Sequence, residues 1–281
     1  MPITRLFCEG RQDSSDALLL ASILPDACLI EPVGGCDFLE RIVMFHRAKA
    51  SSATLMAIKD RDMLADDFTV THQPQRWESR GGEHYGWIWE RVEIENYLLD
   101  PAVVTALQPR RLTDITAYRA ALDTVARDIA PYAAARNALA RFRDALRHAL
   151  PSLRDGAPCG KRQYMFPRGA TLDVAHCHTF LETQVAGVTS RSADSCAQVI
   201  TRFDAIRAVF LPTGAVFPHY LHFFAGKDLL WGLEPYLRQF SNYGNPQELL
   251  DDVAKALPGR EDANFRNLVP EWPALYQSIC A

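Results

Sequence analysis

No stretch of this 281-residue chain is apolar for the roughly 18 residues that a membrane-spanning helix requires. The opening "MPITRLFCEG" lacks a basic segment followed by an apolar one, so a secretory leader is not expected either. There is no CxxC pair. The seven cysteines, at 8, 28, 36, 159, 177, 196 and 280, are odd in number and scattered, which argues against a disulfide framework or a zinc ribbon and fits reduced thiols. Internal repeats and low-complexity tracts are missing as well. Lysine is scarce, at 5 residues against 25 arginines; arginine favours bidentate phosphate contacts, but GC-rich coding would give the same excess. With 48% hydrophobic and 23% charged residues, the composition excludes a disordered chain and leaves a soluble, cytoplasmic globular protein as the expectation.

What is present is an uneven charge distribution. The net charge of −4 hides an acidic start, with 17 acids and 10 bases in residues 1–100, and a basic middle, with 5 acids and 12 bases in 101–170. Such a basic segment is most simply a solvated helix face, yet beside an acidic block it also suits a protein that holds a metal in one place and a polyanion in another.

The hydrophobic pattern begins β-α-β-α-β. "TRLFCEG" reads as a buried strand, and "SSDALLLASIL" as a helix capped by Ser14 or Ser15, with Leu18, Leu19 and Ile23 facing inward. "ACLIEPV" is a second strand, ended by Gly34 and Gly35. "DFLERIVMFHRAK" is a second helix, and Leu55 to Ile58 form a third strand that runs into Asp60 and Asp62. This order predicts a parallel sheet with helices packed on it, a fold in which ligands gather at the carboxyl ends of the strands. The alternating run through Trp87, Trp89 and Val92 predicts a fourth strand, its tryptophans in the core rather than stacked on bases, and "ENYLLDPAVV" a following helix. Residues 114–150 carry a helical period interrupted at Pro131, which predicts a helical hairpin with Arg136, Arg143 and Arg147 on one face of its second half. Beyond 151 the pattern is less legible, and a terminal segment containing Trp272 is expected to pack back on the core. Three regions follow: a sheet core over 1–105, an Arg-rich helical insertion over 106–170 and a C-terminal α/β extension over 171–281.

Acids stand at the strand ends: Glu9, Asp13, Asp60 and Asp62, then Glu93 and Glu95. Alternation along an extended chain would put Asp60 and Asp62 on one side with Arg61 turned away. Hard divalent cations such as Mg²⁺ take oxygen ligands, one or two carboxylates from a scaffold edge, and clustered carboxylates repel one another without a cation. Taken singly, each acid is more simply a helix cap or a surface charge; the set points to a metal.

"CEGRQD", "GG" and "KDRD" after three successive strands resemble the TOPRIM fold of topoisomerases, bacterial primases and OLD-type nucleases. "EIENYLLDP" and "AGKDLL" narrow the likeness to OLD-like TOPRIM nucleases of antiphage defence, of the type found as the effector of PARIS systems. The resemblance implies a TOPRIM-like sheet and a Mg²⁺- or Mn²⁺-dependent endonuclease acting on DNA or RNA, tRNA included. It also implies a toxic effector held in check by an ABC- or AAA-type ATPase partner; a homodimer stays open. By position, it makes Glu9, Asp13, Asp60, Asp62 and Glu95 metal ligands, with Glu93 a weaker candidate. Glu9 and Asp60 become catalytic, with Glu9 as ligand or general base, and Lys227 a charge placed against the phosphate being cleaved. Arg136, Arg143 and Arg147 are the candidate nucleic-acid contacts. A non-catalytic TOPRIM-fold subunit of an ATPase complex is the alternative. Strand transfer and primer synthesis are disfavoured, because each needs a further domain.

"AGKD" is not a phosphate-binding P-loop, since Leu221 stands where glycine is required and Asp228 where Ser or Thr must hold Mg²⁺. "HCH", His176 to His178, with His219 and His222, could make a zinc site, but ordinary core and surface histidines are the simpler reading.

Overall fold

The computed structural model describes residues 2–49, 55–63, 68–79, 81–149, 173–186, 196–260 and 262–281, with the backbone alone at 36, 37, 143 and 145–149. Five strands, β1 (Arg5–Cys8), β2 (Leu29–Pro32), β3 (Leu55–Lys59), β4 (Gln75–Glu78) and β5 (His84–Ile88), form one sheet in the order β2-β1-β3-β5-β4. β1, β2, β3 and β5 run parallel, in registers that pair Arg5 with Leu29 and Leu55, and Ala57 with Gly86; β4 is antiparallel to β5. The chain is therefore α/β, with a mostly parallel sheet flanked by helices.

Strand alternation divides the core between two faces, as expected where helices cover both sides of a sheet. Phe7, Leu55 and Ala57 point to one face, where they meet Leu39 and Val43 of helix α2 (Cys36–Lys49), and Tyr85 joins them because the β4–β5 register shifts there and breaks its alternation with Trp87. Leu6, Cys8, Ile58 and Trp87 point to the other, where they join Leu19, Leu20 and Ile23 of α1 (Ser15–Ile23) and a cluster reaching Trp272, Leu275 and Ile279. Ser14 caps α1 by accepting from the Ala17 N–H. Phe38, Met44 and Phe45 of α2 are about half exposed, so this helix buries a narrower stripe than its apolar run suggests.

β3 and β5 approach closely at Gly86, whose φ is +145; a Cβ there would lie 1.8 Å from the Ala57 carbonyl oxygen. Only glycine lets the two central strands pair at this position. Trp87 and Trp89 are both buried.

One strand goes unanticipated in the sequence, and two local expectations are corrected. β4, "QRWE", has no apolar face of its own and is an edge strand recognised only through its pairing with β5. "ENYLLDPAVV" is two helices, α3 (Glu95–Leu98) and α4 (Pro101–Leu107), because Asp100 caps the second through the Ala102 N–H while Pro101 takes its first position. Pro131 does not split the following segment: α5 runs unbroken over Ile115–Ala149. A helix-interior proline costs about 3 kcal/mol. That cost is offset by the burial of Ile129, Ala130, Ala133, Ala134 and Ala135 around it.

α6 (Val174–Ala186) and α7 (Cys196–Phe210) pack on α5. The chain then passes through α8 (Tyr220–Phe223), α9 (Gly226–Gly232), α10 (Leu237–Phe240), α11 (Pro246–Lys255) and α12 (Ala263–Arg266) to α13 (Glu271–Cys280). Trp272 of α13 is fully buried against Tyr97 and Phe265. No helix among the described residues is long and apolar enough to cross a membrane.

Candidate metal and phosphate site

The carboxyl ends of β1 and β3 lie side by side, and each is followed at once by an acid. After β1, Glu9 leads into Gly10 (φ +87), which exchanges two backbone hydrogen bonds with Gly34 beyond β2, at 2.7 and 2.9 Å. A Cβ on Gly10 would sit 2.3 Å from the Ser14 hydroxyl, so glycine lets the Glu9 turn fold directly onto the cap of α1. After β3, the Asp60 N–H points at Glu9 Oε1, 3.4 Å away.

Of the other acids at strand ends, the structure brings some in and leaves others out. Asp13 is exposed in the turn that begins at Arg11. Its place is taken by Asp16, in the first turn of α1, whose charge acts on Asp60 and feels that of Glu95. The sequence held a signal for this: two residues beyond the N-cap, within the first turn, Asp16 is the acid that a strand-to-helix turn carries toward the sheet edge. Asp62 is not in extended alternation with Asp60, because β3 ends at Lys59 and Asp62 adopts a left-handed φ of +53, its N–H bonded to the Val92 carbonyl. Its charge still reaches Glu9. Arg61 does not turn to solvent. It is buried, donating to the His222 carbonyl at 2.9 Å, with its guanidinium 4.9 Å from the Phe223 ring centre.

The later motifs complete the site. Glu95 opens α3 and Lys227 lies in the first turn of α9; Lys227 Nζ is 3.0 Å from Glu95 Oε2 and 3.7 Å from Glu93 Oε2, while the Lys227 N–H donates to Glu93 at 2.9 Å. Asn96 fastens the two motifs together, accepting from the Glu93 N–H and donating to the Phe224 carbonyl. Gly226 permits the contact: a Cβ there would lie 2.6 Å from the Asn96 nitrogen and 2.8 Å from Glu95 Cβ. Thus "IENYLL" and "AGKDLL", 131 residues apart at Gly226 and Glu95, interlock at the sheet edge.

Electrostatics follow from this crowding. Burial, then Asp62 and Asp16, push the Glu9 carboxyl up to about 7. Burial and Glu95 do the same to Asp16, up to about 7. Asp60 is raised well above the usual carboxylate range by burial, Asp16, Glu9 and Glu95, with Lys227 opposing. Glu95 is raised by burial against the pull of Lys227. Burial works to discharge Lys227, but Glu93, Glu95 and Asp60 outweigh it and keep the ammonium charged. The Asp60 Oδ1 is buried without a hydrogen-bond partner. One lysine thus faces a surplus of carboxylates with an orphaned oxygen among them, an arrangement that a divalent cation would neutralise.

A stability prediction follows. Folded Glu9 and Asp16 bind protons up to about pH 7, whereas their unfolded counterparts release them near 4. The stabilisation from these protons is fully present below the unfolded pKa and is lost as pH rises through 7. Urea midpoints of the chelated protein should therefore fall by the equivalent of about 1–3 kcal/mol between roughly pH 5 and 8. Mg²⁺ should recover the part due to Glu9 and Asp16 but not that due to Glu271, which burial beside Tyr97 and Glu90 also pushes up to about 7.

The arginines proposed to meet nucleic acid divide. Arg136 is turned inward to an ion pair with Asp228 of α9, side-chain exposures 9% and 0%. It is not a surface contact; the heptad-like spacing that aligned it with Arg143 and Arg147 could not reveal a buried acid 92 residues away. The side chains of Arg143 and Arg147 lie outside the described residues.

No three of the acids bring one oxygen each within 4.8 Å of the other two; among the described residues, His72, Glu90 and His222 do meet that criterion. Burial, with Arg91, His219, Arg61 and His72 nearby, pushes the His222 imidazole down to about 3 and so leaves it neutral. The sequence offers His219 and "HCH" as companions for His222; only the fold brings His72 and Glu90 to it. Comparison of the chain with protein-family models, with curated proteins and with solved structures gives no match.

Proposed function

We propose that this protein is a divalent-metal-dependent phosphodiesterase acting on nucleic acid, with a TOPRIM-like site formed by Glu9, Asp16, Asp60 and Glu95 and completed by Lys227. The single observation that carries the reading is the buried, unpartnered Asp60 Oδ1 beside Glu9, at the ends of adjacent parallel strands, within reach of one lysine's charge. Glu9, Asp60 and Asp16 would hold Mg²⁺ or Mn²⁺, with Asp62 and Glu95 at the margins. When bound, the ion supplies Lewis-acid stabilisation of charge developing on the phosphate. Lys227, fixed by Glu95 and by its own N–H to Glu93, adds a point charge for the same oxyanion at no cost in reorganisation. As the alternative to ligation, Glu9 is the base that takes a proton from the attacking group, since its carboxyl is held up at about 7 only while no cation lies against it. A toxic effector restrained by an ATPase partner fits such a site, since unregulated cleavage would harm the host.

The test is cleavage of mixed DNA and RNA, tRNA included, in Mg²⁺ by purified protein, alone and with the ATPase partner that the reading calls for. Glu9→Ala is expected to remove cleavage. Equal cleavage by wild type and Glu9→Ala would overturn the proposal. One observation favours a second reading, a non-catalytic subunit: the acids are too widely spaced for three oxygens to converge without movement. Titration calorimetry with no heat of Mg²⁺ or Mn²⁺ binding at millimolar concentration would select it.

A further inference from the structure

We propose that His72, Glu90 and His222 form a second metal site, separate from the acidic one, that takes a borderline divalent cation of the Zn²⁺ class. One ligand atom from each of the three lies within 4.8 Å of the other two. His222 Nε2 and Glu90 Oε2 are 3.7 Å apart. That is too long for a hydrogen bond, yet close to the roughly 3.3–3.4 Å that separates two ligands of a tetrahedral ion bound at 2.0–2.1 Å.

The carboxylate is already aimed. Glu90 is buried just beyond β5, and its Oε1 accepts from the Thr71 N–H, the Thr71 hydroxyl at 2.9 Å and the His72 N–H at 2.7 Å. Those bonds saturate one oxygen, fix the plane of the group and leave Oε2 turned to His222, which is how supporting hydrogen bonds orient a metal-ligating carboxylate. They also hold His72 at a left-handed φ of +57, an uncommon conformation for a residue with a side chain. The imidazole of His222 is 13% exposed, and its Nδ1 is buried with no hydrogen-bond partner. His222 Nε2 faces the Glu90 carboxylate just out of hydrogen-bond range, so that pair is unsatisfied as it stands; an ion between them supplies the partner for Nε2 and leaves Nδ1 as it is.

The two nearby guanidiniums are committed elsewhere. Arg91 is paired with Asp100 at 2.6 Å and bonded to the Asn96 carbonyl; Arg61 is bonded to the His222 carbonyl. Two imidazoles and one carboxylate select Zn²⁺ over Mg²⁺, which prefers oxygen ligands throughout. Three protein ligands would leave a fourth position for water or for His219, whose ring centre is 6.0 Å from that of His222. Bound there, the ion ties the 68–72 segment to the exit of β5 and to α8.

The experiment uses the full chain, stripped with a chelator and dialysed, then titrated with Zn²⁺ in excess Mg²⁺, with Co²⁺ as a spectroscopic probe. The expected result is one tightly bound equivalent and a visible absorption typical of Co²⁺ held by nitrogen and oxygen ligands. His72→Ala, at an exposed position, and His222→Gln should each weaken Zn²⁺ binding by about tenfold or more. A His176→Ala/His178→Ala double variant should bind like wild type, and Glu9→Ala should also leave this equivalent intact. Binding unaffected by His72→Ala, binding lost in the His176/His178 variant, or no binding by the folded wild type would each overturn the proposal. Because the readout is metal content and not cleavage, the result is independent of the function proposed for the acidic site.

Discussion

Replacing Asp60 with asparagine is expected to make the metal-free protein more stable than wild type as pH rises and to abolish the proposed cleavage. The carboxylate sits with Oδ1 buried and unpartnered, and burial, Asp16, Glu9 and Glu95 all oppose its ionisation. Asparagine has the same shape and no charge, so it mimics the protonated aspartate that the apo protein prefers. In urea unfolding with chelator present, the variant's advantage should grow as pH rises above the pKa of an unfolded aspartate, by about 1–3 kcal/mol between roughly pH 5 and 8, because the unfolded wild type releases a proton that folded Asp60 resists losing. Cleavage under single-turnover conditions should fall by about 10²–10³-fold or more, the scale on which a single preorganised electrostatic group acts. Mg²⁺ should raise the midpoint of wild type and not of the variant. These opposite signs separate a ligand from a structural acid. A carboxylate that merely supported the fold would cost stability when neutralised and leave cleavage largely intact.

That contrast also explains which parts of the site could be read from the sequence. The βαβαβ order, the Gly10 and Gly34 turns and the acids at the ends of β1 and β3 are local features, each written within a few residues, and the parallel pairing of those strands brings Glu9 and Asp60 together. What local pattern could not supply is orientation beyond a strand end. Asp62 looked equivalent to Asp60 on a period of two, but a left-handed residue breaks the period. Asp13 and Asp16 both follow the turn, and only the cap at Ser14 decides that Asp16 is the one carried inward. Interactions across long separations were least visible. Lys227 and Glu95 were each marked only through a family resemblance and their contact only through the fold, whereas the grouping of His72, Glu90 and His222 left no mark in the sequence, and β4 has too few apolar residues to declare itself. The long helix shows the opposite failure, since the local rule at Pro131 was sound in energy but was outweighed by burial on both sides.

Arg136→Ala is expected to behave as a core mutation rather than as the loss of a phosphate contact. Its guanidinium is spent on Asp228, which is fully buried on α9 next to Lys227. Burial raises the Asp228 carboxyl, up to about 6, while Arg136 opposes the rise, so at neutral pH the pair is ionic and each partner is the other's neutralising charge. Removing one partner strands a charge in a low-dielectric interior, which costs about 3–5 kcal/mol, whereas replacing both by apolar residues of similar volume is often close to neutral. Urea unfolding should therefore show a large loss for Arg136→Ala and for Asp228→Ala, and substantial recovery in the double variant Arg136→Met/Asp228→Leu. Nucleic-acid affinity gives the decisive comparison. A lysine or arginine bound to phosphate contributes close to one unit to the slope of log affinity against log salt. Measured below its unfolding temperature, the Arg136→Met/Asp228→Leu protein should keep the wild-type slope, because the charge it lost never faced the ligand; a slope shallower by about one would return Arg136 to the nucleic-acid surface. The same pair anchors the first turn of α9 to α5, so cleavage should decline in the single variants together with the fraction folded, through the misplacement of Lys227.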